Sequence, residues 1–310
     1  MQLQSQLGRR GLRGKPFVER CDFNCNTSKC GAAYLLSQSS VTGSVFRANV
    51  GTSGAGAMDG GSSVLCEDNI FLDNTGTGFA AYGTFTSTRC TIVGNQGENL
   101  IPNSMYCCVV SNNTATGPCI PSGRIPTLQN TLLASNYIAG AFIDFFNNGA
   151  YKGTRLFENC TFANNYFGKH YNDTANLDSN SFFVSVVNCI FRENVIGQQQ
   201  TVPTQPTRPK FSGDYNVADD QFVLDSTNPD HRWTFDPRFV DPIHGNYRLS
   251  PYSHACDIAE MLPWMTDHAV DLVGNPRRVN PRGRATPDAI PDLGCFECVS
   301  RSIGLIIKIR

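Results

Sequence analysis

The chain is poor in charge. Asp, Glu, Lys and Arg make up only 16% of its 310 residues, and the formal net charge is −1. No basic stripe exists to neutralise phosphates, which excludes nucleic acid as a partner. The one basic cluster, Arg9, Arg10, Arg13 and Lys15, is short and reads as a solvated tail. No apolar run approaches the length that spans a bilayer, so no membrane-crossing segment is expected. Residues 1 to 16 lack the apolar stretch of a secretory signal, so a secreted chain would need its start upstream or would be a fragment. Six lysines leave few candidates for a catalytic base, and no Gly-x-Ser-x-Gly elbow occurs.

Cysteine, by contrast, is plentiful. Thirteen in a chain of this length point to an oxidising compartment. Four glycosylation sequons agree with that, at Asn26, Asn112, Asn159 and Asn172. Asn159 falls within an expected core strand, which leaves Asn26, Asn112 and Asn172 as acceptors. Placement outside the cell or on its surface follows.

The strongest pattern is a repeat. Asn159-Cys160-Thr161-Phe162-Ala163-Asn164-Asn165 recurs as Asn188-Cys189-Ile190-Phe191-Arg192-Glu193-Asn194, and looser copies run upstream. The closing asparagines are Asn26, Asn49, Asn74, Asn95, Asn113, Asn136, Asn165 and Asn194, spaced 23, 25, 21, 18, 23, 29 and 29 residues apart. Such a period marks stacked units that cannot bury their apolar faces alone. Runs of three to six residues rich in Val, Ile, Phe and Thr, bounded by Gly, Asn and Ser, make each unit a set of short strands. The reading is a right-handed parallel β-helix, about 24 residues per coil, over residues 17 to 197. Phe23, Phe46, Phe71, Ile92, Val110, Leu133, Phe162 and Phe191 should form one inward column. A second column two positions earlier reads Cys21, Ser44, Asn69, Cys90, Cys108, Thr131, Cys160 and Cys189. Parallel side chains in a ladder point alongside one another, so most of these thiols should be free apolar fillers. Cys90 with Cys108 and Cys160 with Cys189 are the neighbours close enough to be exceptions. The closing Asn suits a left-handed corner and an amide bond to the next coil.

The pairing of Gly-Ala-rich segments (Gly54-Ala-Gly-Ala-Met58, Gly78-Phe-Ala-Ala-Tyr-Gly83) with Phe-x-x-Asn motifs resembles the polymorphic outer-membrane protein repeats of chlamydiae, over about residues 40 to 195. That resemblance implies a surface-exposed, often adhesive β-helix. A turn of about 24 residues has no room for Gln96 to Tyr106 or Tyr166 to Asn180, which should protrude as loops. Residues 1 to 16 read as a disordered or truncated tail and 198 to 213 as a Pro/Gln/Thr-rich linker or loop.

Beyond the linker the texture changes. Asp214-Tyr215-Asn216, Phe235-Asp-Pro-Arg-Phe-Val-Asp-Pro242, Gly245-Asn-Tyr-Arg-Leu-Ser-Pro251, Asp257, Asp271-Leu-Val-Gly-Asn-Pro-Arg277 and Pro291-Asp-Leu-Gly-Cys-Phe-Glu297 follow in order. This string is similar to the end of the choice-of-anchor Q domain of β-helical surface proteins, over about residues 185 to 298. The resemblance implies cell-surface or secreted placement. Residues 214 to 298 should end and cap the solenoid, and 299 to 310 form a tail. Cys256, Cys295 and Cys298 stand where that family has packed apolar residues, so a disulfide of Cys256 with Cys295, or with Cys298, is expected to pin the cap.

Carbohydrate enzymes also use β-helices. A lyase needs clustered carboxylates for calcium and a basic residue, and a glycosidase needs paired carboxylates. The best constellation is Lys169, His170 and Asp173 on the long loop, with Arg192 one coil later. The aspartates elsewhere are scattered. Cys21-x3-Cys25-x4-Cys30 and Cys295-x2-Cys298 have zinc-like spacing, but nothing nearby completes four ligands, so no metal and no cofactor is assigned. Calcium enters only with the lyase. The functional expectation is a non-catalytic extracellular or cell-surface module, adhesive or structural and open to carbohydrate ligands. A polysaccharide lyase or glycoside hydrolase acting on uronate polymers is the alternative.

Overall fold

The computed structural model of the protein describes residues 17–29, 31–60, 63–76, 81–82, 85–99, 104–120, 126–144, 153–172, 182–198, 210–219, 228–278 and 289–298. Short strands, and two 3-10 turns near the C-terminus, make up their regular structure. The strands stack into a nine-stranded sheet, a ten-stranded sheet and a five-stranded sheet, and every coil contributes in turn to the first two. These are the faces of a right-handed parallel β-helix. Among the described strands only Phe239–Asp241 and Asn246–Leu249 pair antiparallel. The third face reaches towards the N-terminus through single bridges from Val50 to Thr75 and from Thr75 to Gln96.

The apolar column on the second face is in register from end to end. Phe23 pairs with Phe46, Phe46 with Phe71, Phe71 with Ile92, and Ile92 with Val110. Leu133, Phe162, Phe191 and Ala218 continue it. Parallel pairing brings identical side chains about 4.8 Å apart, and the rings use that distance. Phe23 and Phe46 stack at 4.7 Å, and Phe162 and Phe191 at 4.6 Å with planes 1° apart. A fully buried Phe contributes roughly 2–3 kcal/mol by removal from water. This column is the spine of one core that also takes in Val41, Met105, Leu128, Phe157 and Val186 from the first face and Ala115, Ile138 and Phe167 from the third.

The closing asparagines behave differently from expectation in one respect. The left-handed residue at the corner is the one before each of them: Cys25, Ala48, Asp73, Gly94, Asn112, Ser135, Asn164 and Glu193, with φ of 50–69°. The asparagine itself points inward. Its Oδ1 accepts from the backbone N–H and the amide of the asparagine one coil back, as Asn165 does from Asn136 at 3.0 and 2.9 Å. Its Nδ2 donates to a carbonyl there too, Leu133 O at 2.9 Å in this case. The ladder is continuous from Asn26 to Asn194. The amide stacking is as expected; the backbone role passes to the neighbour because an inward-turned amide satisfies buried groups that the tight corner leaves open.

The cysteine column does more than fill space. At the other corner Ser44 Oγ, Asn69 Oδ1, Thr131 Oγ1 and Asn216 Oδ1 accept the backbone N–H of the previous coil. Cys189 Sγ does the same for Cys160 N at 3.4 Å, and donates to the Phe157 and Val187 carbonyls. Thiols here are weak stand-ins for hydroxyls. All described cysteines are free, including the neighbours Cys90 and Cys108, and Cys160 and Cys189.

The C-terminal region covers the solenoid sideways. The strand Asn216–Ala218, followed by Arg232–Trp233, continues the second face. The chain then turns back along the outside of that face. Leu132, Ala134 and Ala163 pack against Tyr247, Cys295 and Phe296, while Ile190 and Val217 pack against Leu249, Ala255, Ala259 and Leu293. Corner residues Asn130, Asn159 and Asn188, all left-handed, reach out to it. Their amides donate to the carbonyls of Val270, Asp292 and Glu260. Gly294, at φ 76°, lies so close to the strand beneath that a Cβ would come within 2.5 Å of Thr161 Oγ1. Arg277, wholly buried, ties the layer down through Glu297 at 2.8 Å, the Gly294 carbonyl at 2.9 Å and Asn130 Oδ1.

Candidate functional site

The third face carries the longest strands, Tyr137–Asp144 and Tyr166–Asn172. The residue after each ladder asparagine starts this face and points outward, because the next one (Ala115, Ile138, Phe167) is turned into the core. Val50, Thr75, Gln96, Thr114, Tyr137, Tyr166 and Val195 therefore form one outer column in register. Within it the rings of Tyr137 and Tyr166 stack at 4.8 Å with planes 5° apart. Thr114, the neighbour of Tyr137 on the other side, has no ring. The stack ends at Tyr137, which stays 51% exposed. Tyr166 leans over exposed Gly197, where a Cβ would sit 2.1 Å from its hydroxyl oxygen. The result is a two-ring aromatic stack on the outer side of the sheet, open at its Tyr137 end. Sequence reading placed Tyr166 in a protruding loop and gave Tyr137 no role. The visible signal was a tyrosine directly after the ladder asparagine in two successive coils.

Of the expected catalytic constellation, Lys169 and Arg192 lie in strands of different faces. Lys169 and His170 extend the strand Tyr166–Asn172, so the first part of the expected loop is strand, and Asp173 lies outside the described residues. Arg192 is on the second face, in the strand Ile190–Arg192, around the asparagine corner from Lys169, and it lies 3.9 Å from the Glu193 carboxylate. Of the sequon residues, Asn26 gives its amide to Asn49 at 2.9 Å, so a glycan there would displace a ladder bond. Asn159 is wholly buried. Asn112 is exposed at a corner, and Asn172 ends a strand.

The cap cysteines divide unevenly. Cys295 is fully buried beside Thr161, and its N–H donates to the Thr161 hydroxyl at 3.2 Å. Cys256 and Cys298 instead face each other, and both thiols point at the Ser250 carbonyl, at 3.7 and 3.4 Å. Of the two partners expected for Cys256, the fold brings up Cys298 and not Cys295, with both thiols free. Their mutual hydrogen bond lifts the Cys256 thiol and lowers that of Cys298. Burial pushes the nearby Asp292 carboxyl up to about 6.

No protein-family model, curated protein or solved structure matches this chain.

Proposed function

We propose that the chain is a non-catalytic β-helix module displayed outside the cell that holds polysaccharide on its third face. The observation that carries this reading is the Tyr137–Tyr166 stack, exposed at its Tyr137 end and built on the two longest described strands of the solenoid. Tyrosine offers sugars an apolar ring for their C–H faces and a hydroxyl for their hydroxyls, at little entropic cost because it has few rotamers. The motifs resembling chlamydial outer-membrane repeats and the choice-of-anchor Q region support surface placement and adhesion.

Retention of the chain on a panel of insoluble and immobilised polysaccharides tests this. Tyr137→Ala should weaken binding to the retained glycan about tenfold, with an unchanged unfolding midpoint. Retention on none of them, or retention indifferent to Tyr137→Ala and Tyr166→Ala together, would overturn it. Release of unsaturated or reducing ends, lost in Lys169→Ala, would move the reading to the lyase or hydrolase.

A further inference from the structure

The side-chain cluster where the C-terminal layer closes on itself has the makings of a metal centre. Cys256 Sγ, Cys298 Sγ and a carboxylate oxygen of Asp292 all lie within 4.8 Å of one another. Two distant parts of the sequence converge here, 256 from one turn and 292 and 298 from the last described segment. Each is held by its own framework. Asp292 is almost wholly buried, with Oδ1 accepting from Asp257 N at 2.6 Å and Oδ2 from Cys298 N. Cys256 and Cys298 are half-buried, so ions have a route in.

Zinc bound tetrahedrally, with about 2.3 Å to sulfur and about 2.0 Å to oxygen, sets sulfurs about 3.8 Å apart and sulfur about 3.5 Å from oxygen. The cluster reaches that arrangement by changing its distances by no more than about 1.3 Å. We propose that Cys256, Cys298 and Asp292 bind a thiophilic divalent cation of the zinc class, with the fourth position filled by water or by the Ser250 carbonyl oxygen that both thiols already face. The carboxylate distinguishes this from a disulfide. A neutral sulfur–sulfur bond does nothing for a buried Asp, whereas a divalent cation beside it offsets two of the three negative charges that the carboxylate and two thiolates bring together. On binding, both thiols release their protons to solvent and the sulfurs donate electron pairs to the metal; no electrons are exchanged. The zinc-like spacing of Cys295 and Cys298 belongs to a pair that the fold separates. Asp292 is the ligand that sequence spacing did not reveal.

The test uses the full chain, reduced and stripped with a chelator, titrated with Co2+ as a probe. One equivalent should bind with thiolate-to-cobalt charge-transfer absorption, and Zn2+ should abolish that absorption by displacement. Cys256→Ser, Cys298→Ser and Asp292→Asn should each lose affinity about 100-fold or more, and Cys295→Ser should bind as the parent does. Asp292 also accepts two backbone N–H groups, so its replacement can unfold the layer; Cys256→Ser, at a half-buried position, then carries the test. Absorption that survives undiminished in the Cys256→Ser/Cys298→Ser double variant would place the metal on other thiols, such as exposed Cys21 and Cys25, and overturn the proposal. So would a folded, reduced parent chain that shows no thiolate–cobalt band, or one in which Cys256 and Cys298 are found covalently linked and bind Co2+ in neither redox form.

Discussion

At the scale of single residues the fold rests on polar side chains that face inward. Each interior ladder asparagine serves several buried groups, so its loss is not the loss of one bond. In Asn136→Ala, Asn113 N–H, the Asn113 amide and the Val110 carbonyl lose partners at once. With about 1–3 kcal/mol for each buried group left unsatisfied, and some relaxation, the cost should be about 3–5 kcal/mol. Asn26, at the half-buried end, gives up only its amide bond to Asn49, and Asn26→Ala should cost about 1 kcal/mol. Denaturant unfolding of the two variants decides the point: equal losses would show that the ladder carries no cooperative load. The cysteine column is open to a similar comparison. Cys189→Ser keeps an acceptor for Cys160 N–H and should stay within about 1 kcal/mol of the parent, while Cys189→Val, a better apolar filler, should lose about 2–3 kcal/mol. The reverse order would restore the view of these thiols as fillers. The periodic Asn and Phe were legible in the sequence because identical coils repeat them. The hydrogen-bonding duty of Cys was legible only by noticing that Ser44, Asn69 and Thr131 occupy the same column.

At the scale of elements, the second face changes character along its length. In the strands Thr91–Val93 and Val109–Ser111 the outward positions are half-exposed. From Leu132–Ala134 onward they are buried beneath the C-terminal layer, apart from half-exposed Arg192. The same coils put asparagine at the first corner, where earlier ones have Arg20, Gly43, Asp68, Arg89 and Cys107. Both changes stand in the sequence as Leu132, Ala134, Ala163 and Ile190 beside Asn130, Asn159 and Asn188. A reading built on the inward column passes over them, since its period says nothing of what lies outside. The sequence string from Asp214 to Glu297 did mark a distinct unit, but its direction of packing depended on those outward positions. Arg277 is the fastening with the largest expected effect. Arg277→Leu leaves Glu297 buried without its cation and should destabilise by about 3–5 kcal/mol. Adding Glu297→Leu should recover part of that loss, because the pair then leaves together. A double variant as weak as the sum of the single ones would mean that the ion pair is not what fastens the layer.

At the scale of the molecule, a solenoid is close to one-dimensional. Each coil touches its neighbours, so stability varies along the axis and the ends open first. The N-terminal coil is the weak end: Phe23 is only partly buried, and among the described residues no second layer covers the strand Asp22–Asn24. Coils from Leu132 to Val217 are held between the apolar core and the C-terminal layer, and they also carry the tyrosine stack on the adjoining face. That arrangement puts the proposed binding surface on the most constrained part of the array, where little order remains to be imposed when a ligand binds. Amide hydrogen exchange should show it directly. The ladder amides of Asn26 and Asn49 should exchange through local opening, well before those of Asn136 and Asn165, whose protection should approach the global stability. In Arg277→Leu, with the covering layer loosened, protection at Asn136 and Asn165 should fall towards that of the N-terminal coils, while Asn26 and Asn49 barely change. Uniform protection from Asn26 to Asn194 in the parent chain would instead make the solenoid a single cooperative unit, in which the C-terminal layer adds stability everywhere and no preference for the coils it touches.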